Sequence, residues 1–331
     1  MANRRLIRIA NPDFTGNEFG NVCQAVHSGW LTHKGPYVKQ FEDAFSEYIG
    51  QEALACSSGT GALHLALLAA GIGPGDEVIV PDLTFGATAS VVINVGATVV
   101  LADIDGAWGI DNFEHLITSK TKAVIPVHLY GLRCNMDMVM ELAKVHRLLV
   151  IEDCCEAVDV KPVGHFGCYS FFANKHITTG EGGMLVGKKL DRARIHRNGG
   201  FDGQYFYVVA GLNYRMTNLQ AAVGCGQMER LPELLEARYR NAARYKESIK
   251  GLGTWLYVAF VSNPLAVMNA LKDTIETRLV FPPLHEQPPF LNNGSFPNTK
   301  RASTTGLCLP TGPHVTTDEV DYIIEKVIKY A

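Results

Sequence analysis

Three short segments carry residue types that could act on one small molecule. Ser57-Ser58-Gly59-Thr60-Gly61 lies between a short apolar run and a helical one. Small residues and hydroxyls at a helix N-terminus let backbone N–H groups approach an anion. The loop therefore reads as a phosphate or carboxylate cradle, or as a plain helix cap. No Lys-Ser or Lys-Thr pair follows it, so it is not a Walker loop. It also lacks the Gly-x-Gly-x-x-Gly pattern of a dinucleotide fingerprint. Ile151-Glu152-Asp153 ends an apolar strand, where open α/β sheets bind ligands. Asp153 could face a cationic ring nitrogen there or cap the next element. Lys175 stands between an apolar strand and the loop Thr178-Thr179-Gly180-Glu181-Gly182-Gly183. A lone lysine after a strand is most often a solvated surface residue, but a partly buried one is a usable amine nucleophile. As a set, a phosphate cradle, a strand-end carboxylate and a lysine in a glycine-rich loop are the contacts that pyridoxal phosphate needs.

The elements around these segments alternate. Residues 40–50 place Phe41, Ala44, Phe45, Tyr48 and Ile49 on one helix face closed by Gly50. A short apolar stretch, Ala53 to Cys56, precedes the first loop, and a helical run follows it. Then come strand EVIVP, a helix over Ala87 to Val95, strands TVVLADID and KAVIPVHLYG, a helix from Met136 to His146 and strand LLVIED. Apolar strands without alternation suit a parallel sheet covered on both faces, so the first two-thirds reads as α/β with a mostly parallel sheet. After Met216 the spacing predicts helix to Lys250 with a break near Pro232, a strand over Trp255–Val261, a helix over Pro264–Asp273 and a strand over Arg278–Phe281. The proline-rich stretch 282–315 reads as loop. A last helix is opened by the capping-box pair Thr316 and Glu319. The expected organisation is a large α/β domain over 1–230 and a small, shortened α+β domain over 231–331.

Composition narrows the class. The chain has 331 residues, 30 Lys+Arg against 33 Asp+Glu and a net charge of −3, so no basic footprint recommends nucleic acid or an anionic membrane. No stretch reads as a membrane span, and no apolar core follows the arginines of residues 1–14, so no secretory leader is expected. Eight cysteines show no C-x-x-C or zinc-finger spacing. They read as reduced, buried thiols of a cytoplasmic protein, with no metal expected. Charged residues make up 19%, below the roughly 25% usual for soluble proteins, which points to surface covered by another subunit.

SSGTGALHLALLAAGIGPGDEVIVPDLTFGAT, AVIPVHLYG, VIEDCCEA, SFFANKHITTGEGGM, LNYRMTNLQAA and PPLHEQPPF occur here in that order. Together they resemble the DegT/DnrJ/EryC1/StrS family, pyridoxal-phosphate aminotransferases of nucleotide-sugar metabolism. The resemblance runs over about residues 5–245 and resumes at PPLHEQPPF. It implies an aspartate aminotransferase-like fold (fold type I) and a homodimer with shared active sites. By motif, Lys175 would attach the cofactor, Asp153 would hold its ring nitrogen protonated and Phe85 would stack on the ring. Ser58, Gly59, Thr60 and Ser170 would bind its phosphate, joined by Asn213 from the other subunit, and Glu156 would lie near its hydroxyl. Trp30 and Thr32 fall in a segment that lies near the substrate in relatives. His285 is placed like a family histidine near the substrate, or is a satisfied loop histidine; His176 points into the site or packs.

The T-T-G-E-G-G loop and Asn174-Lys175 resemble the perosamine-synthase branch, which implies amination of the 4-keto carbon of a nucleotide-linked 4-keto-6-deoxy sugar with L-glutamate as donor. Amination at the third carbon, or a catalytically silent dimer serving as sensor or scaffold, are the competing readings. The chain departs from the family in three places. The stretch between Glu156 and Ser170 is short, Arg197-Asn198-Gly199-Gly200 lacks the family's histidine, and the small domain is cut between Lys250 and Arg278.

Overall fold

Strands that are apolar on both faces need helices on both sides, and that demand organises the larger part of the chain. The computed structural model describes residues 6–202 and 205–331. Residues 1–5, the start of the stretch read for a leader, lie outside them. Seven strands form the main sheet: β1 (Ala53–Cys56), β2 (Glu77–Pro81), β3 (Thr98–Ala102), β4 (Thr121–Val124), β5 (Leu149–Asp153), β6 (Phe166–Ser170) and β7 (Gly183–Gly187). Their spatial order is β1-β7-β6-β5-β4-β2-β3. The pairs from β3 through β6 are parallel, and β7 runs antiparallel to both β6 and β1.

Helices α1 (Glu18–Ser28) and α2 (Pro36–Ile49) precede the sheet. Helices α3 (Gly59–Ala70), α4 (Ala87–Asn94), α5 (Met136–His146) and α6 (Asp191–Arg197) alternate with its strands or follow them, and α7 (Asn218–Glu229) comes next. One face packs Leu54, Val80, Ile125 and Ile151 against α3, α4 and α6. The other face packs Ala55, Tyr169 and Met184 against α2 and α7, and Ile79 and Val150 against α5. This is the fold-type-I architecture that the resemblance implies.

Helix α8 (Leu231–Lys246) leads to the second sheet, with Pro232 in its first turn and the break from α7 at Arg230. That sheet has the order β10-β11-β9-β8, from β8 (Gly251–Leu252), β9 (Tyr257–Phe260), β10 (Arg278–Leu279) and β11 (Gly306–Leu309). Helices α9 (Pro264–Leu271) and α11 (Thr317–Tyr330) pack on it with α8 around Tyr245, Tyr257 and Ile323. The N-terminal segment is stitched to this smaller unit: Ile7 N–H donates to the Thr274 carbonyl (3.0 Å), and Glu276 N–H donates to the Ile7 carbonyl (2.8 Å).

Three expectations are corrected. The strand read over KAVIPVHLYG stops at Val124. Pro126 has no N–H to donate, and Leu129–Gly131 forms a 3₁₀ turn with Tyr130 at φ 53°. The stretch 282–315 is not all loop, because it contains α10 (Pro297–Thr305) and the interior strand β11. The start of α10 is capped from far away: Asp103 accepts the N–H groups of Asn298 (3.0 Å) and Thr299 (2.9 Å). No local pattern could reveal a cap almost two hundred residues distant. Of the eight free cysteines, Cys23 is exposed and Cys155 and Cys225 are half-buried, so the expectation of buried thiols holds for the other five.

Arg197, at the end of α6, donates from Nη1 to the Ala55 carbonyl (2.7 Å) and to Glu42 (2.9 Å), while Glu42 accepts the Ala55 N–H (2.9 Å). One ion pair, little exposed, thus holds both backbone groups of Ala55, just before the Ser57–Gly61 loop. Removing one partner of such a pair is costly, so Arg197→Met is expected to lower the unfolding free energy in urea by about 3 kcal/mol. A loss below about 1 kcal/mol would show that the pair carries little of the loop's support.

Candidate active site

The C-terminal ends of the parallel strands open on a cavity of about 420 Å³ lined by residues of both sheets' surroundings. Ser58, Gly59, Thr60, Phe85, Asp153, Glu156, Ser170 and Lys175 all line it. These are residues that the family resemblance assigns to one cofactor, and chain segments more than a hundred residues apart bring them together.

The anion cradle forms where β1 turns into α3. Ser58 caps the helix, its Oγ accepting the Gly61 N–H (3.0 Å). The N–H groups of Gly59 and Thr60 fall in the first turn, where a helix offers no internal acceptor, so they are left for a ligand. Gly59 is required by space. A Cβ there would lie 2.7 Å from Cys155 Sγ and 2.8 Å from Ser170 Cβ. Its absence lets the Ser170 end of β6 reach the helix N-terminus.

Asp153 ends β5 almost fully buried. Its Oδ2 accepts the Thr88 hydroxyl (2.8 Å), its Oδ1 accepts the Cys155 N–H (3.0 Å), and Thr84 lies 3.0 Å from Thr88. Each carboxylate oxygen keeps a lone pair for a further donor. Beneath it, His128 Nδ1 accepts the Cys134 N–H (3.1 Å), so the ring proton sits on Nε2 and is donated to Glu152 (2.9 Å). The other oxygen of Glu152 accepts the N–H groups of Val163 (2.6 Å) and Gly164 (2.5 Å), which anchors the shortened stretch before β6. His128, Glu152 and the Cys154 thiol lie close enough to hold a metal, but the histidine and carboxylate are committed to these hydrogen bonds.

Lys175 follows β6 after a tight turn closed by its own N–H to the Phe172 carbonyl (2.9 Å). Its Nζ lies 3.5 Å from Glu156 Oε1 and 4.0 Å from the centre of the Trp255 ring. Glu156 also accepts the Tyr130 N–H (2.9 Å). Burial pushes the Glu156 carboxyl above its ordinary value, against the pull of Lys175 and the Tyr130 N–H.

The donor set fits pyridoxal phosphate part by part. The α3 N-terminus with Ser170 suits the phosphate, Asp153 suits a protonated ring nitrogen, and the exposed Phe85 suits a ring face. Lys175 suits the aldehyde.

Other expected residues lie elsewhere. His285 is held away from the cavity: its Nδ1 lies 2.6 Å from Asp82, its N–H donates to the same carboxylate (2.8 Å), and its ring stacks on Phe296. Burial raises the Asp82 carboxyl against the pull of His285. His176 points to the far side of its loop, into a small buried pocket beside Arg238, and desolvation holds its ring well below the usual histidine range. Trp30, Thr32 and Asn213 are exposed and do not line this chain's cavity. The sequence reading missed Thr88, Trp255, Phe281, Arg278 and Glu181, which all line it. Thr88 stands three residues after Phe85 and closes the same LTFGAT segment, which was its signal.

The model of the DegT/DnrJ/EryC1/StrS aminotransferase family matches residues 12–328. The GDP-perosamine synthase of Caulobacter vibrioides is 41% identical over 363 residues of alignment, covering 98% of each chain. That alignment is longer than this chain, so the relative carries residues that are missing here. The GDP-perosamine synthase of Escherichia coli O157:H7 is 38% identical, over 98% of this chain and 99% of its own. Among solved structures, the sugar aminotransferase CalS13 of Micromonospora echinospora superposes with a TM-score of 0.90 at 26% identity, covering 98% of this chain and all of its own.

A carboxyl whose pKa is raised by folding binds its proton more tightly in the native state than in the unfolded one. Its contribution to stability is therefore present at low pH and is lost as pH rises from the unfolded value through the folded one. Glu156→Gln is accordingly expected to be more stable than the parent at pH 7 in the cofactor-free form, with the gap closing below pH 4. A gap that widened on acidification would contradict the burial argument.

Proposed function

The chain belongs to the DegT/DnrJ/EryC1/StrS aminotransferase family, and on that premise we propose that it aminates the 4-keto carbon of a nucleotide-linked 4-keto-6-deoxy sugar, with L-glutamate as donor. It is a pyridoxal-phosphate-dependent sugar aminotransferase. The observation that carries the reading is the placement of Lys175, Asp153 and the α3 N-terminus around one cavity. The 4-keto assignment is supported by the Thr178–Gly183 loop and by the relatives named GDP-perosamine synthase.

Bound pyridoxal phosphate supplies an electron sink for the pair released when a C–H bond beside nitrogen breaks. The protein's own part is derived from its residues. In this reading Asp153 keeps a proton on the ring nitrogen, its charge fixed by the Thr88 hydroxyl and the Cys155 N–H. Lys175 would hold the cofactor's aldehyde carbon and, as a free amine, would take the proton from the donor's α-carbon and deliver it to that aldehyde carbon. The N–H groups at the start of α3 hold the phosphate dianion. Phe85 and the aromatic wall of Phe281 and Trp255 limit water around the reacting carbon.

The proposal extends to a homodimer working in the cytoplasm, each subunit lending Asn213 to its partner's site. Support comes from Tyr205, Phe206 and Tyr207, large aromatics that stand exposed in the segment leading to Asn213, as residues covered by an interface do. No helix among the described residues is long and apolar enough to cross a membrane.

Protein reconstituted with the cofactor is expected to be yellow and to lose its visible band on adding glutamate, with borohydride fixing the cofactor on Lys175. Parallel initial-rate lines with a 4-keto-6-deoxy nucleotide sugar are expected from the double-displacement scheme. Label on another lysine, turnover of a 3-keto sugar alone, or a required ternary complex would each overturn the corresponding part of the reading.

A further inference from the structure

Lys175 must leave the cofactor and return in each catalytic cycle, yet a lysine side chain has four flexible bonds and much rotamer freedom to lose. A defined place for the free amine would keep it within reach of the donor's α-carbon. The structure contains such a place, and the residue that forms it comes from the smaller unit.

Trp255 lies between β8 and β9, with its ring centre 4.0 Å from Lys175 Nζ. Four contacts fix that ring. Its Nε1–H donates to the Asn174 carbonyl (2.9 Å), the residue just before the lysine. Its ring stacks on Tyr130, with centroids 6.1 Å apart and planes at 16°. Its backbone N–H donates to the Tyr130 carbonyl (3.1 Å). The buried Arg238 clamps both partners, donating from Nη1 to the Trp255 carbonyl (3.1 Å) and from Nη2 to the Lys175 carbonyl (3.1 Å). The amine's other neighbour is Glu156, 3.5 Å away and itself held by the Tyr130 N–H. An ammonium group over an indole face is attracted by the ring quadrupole, more so when desolvated.

We propose that Trp255 is a positioning residue for Lys175, its indole face and Glu156 forming the seat that the amine occupies whenever it is not bonded to the cofactor. The inference rests on Lys175 being the cofactor's attachment point and proton carrier. It adds a residue that no motif singles out, and it makes the smaller unit a part of the proton-transfer machinery.

The test uses full-length protein without cofactor, reductively methylated with formaldehyde and cyanoborohydride and read by peptide mass spectrometry. Relative to the exposed Lys39, Lys175 is expected to react about 3–10-fold faster in Trp255→Met and Trp255→Leu than in the parent, with Trp255→Phe within about twofold. Two variants without a ring face are used so that misfolding of one does not decide the result. In the loaded enzyme, the same two variants are expected to show a larger deuterium effect with α-deuterated donor, while the half-saturating donor concentration moves less than about threefold. Equal methylation across parent, Met and Leu variants would overturn the proposal, as would a Phe variant as impaired as the other two. Cofactor fixed on a different lysine would instead defeat the reading of the site, leaving the methylation comparison intact.

Discussion

A carboxylate kept almost dry at the end of a central strand is the constraint on which the rest of this structure depends. Moving such a charge out of water is expensive unless hydrogen bonds and an opposite charge compensate. The chain meets part of that cost itself: the Thr88 hydroxyl and the Cys155 N–H both point at Asp153. Neither donor is charged, so the site remains one that favours a cation in the cavity, as a protonated pyridine ring provides. The neighbourhood serves the same end. Strand β5 must stop at Asp153, the Glu152–His128 pair must hold its base, and α4 must deliver Thr88 from the opposite wall.

The shortened stretch before β6 can be understood from that base. Glu152 gathers two successive N–H groups, Val163 and Gly164, on a single buried oxygen. Gln51 holds the Pro162 carbonyl (2.7 Å) and Tyr169 holds that of Val160 (2.6 Å). A segment this short leaves few backbone groups to satisfy, and side chains of two sheet strands and of the turn before β1 satisfy several of them. The small sheet likewise stays complete at four strands despite its lean connections.

What the sequence made legible followed from local signals. The alternation of apolar strands with helices, the capping box at Thr316 and the helix break near Pro232, which falls at Arg230, each depend on residues a turn or two apart. So did the three chemical segments, because loop, strand end and lysine each carry their own short pattern. What was illegible depends on distance. Helix α10 is capped by Asp103, and Trp255 meets Lys175 from eighty residues away. His285 and His176 carried a residue type suited to chemistry but no information on direction. Asp82 holds the first outside the cavity, and the turn after Phe172 aims the second beneath it. A histidine's identity is a property of the sequence; where its ring points is a property of the packing.

The low charged fraction takes on a different meaning beside this geometry. A surface short of charge could simply be a large core, but the uncharged residues are not all inside. Tyr205, Phe206 and Tyr207 stand well exposed in the segment after Gly200, and Phe19 and Trp30 are exposed near the other end of the chain. These are the residue types enriched in interface cores, where charges are depleted. Asn213, expected to reach a partner's phosphate, is exposed in the same segment and does not line its own chain's cavity. A second copy of the chain would, in the proposed dimer, cover these aromatics, two of which pack on Phe201 within their own chain, and would receive the asparagine. In the proposed dimer the shortage of charge is thus a requirement of the active site, because the surface that must stay apolar is the one that completes it.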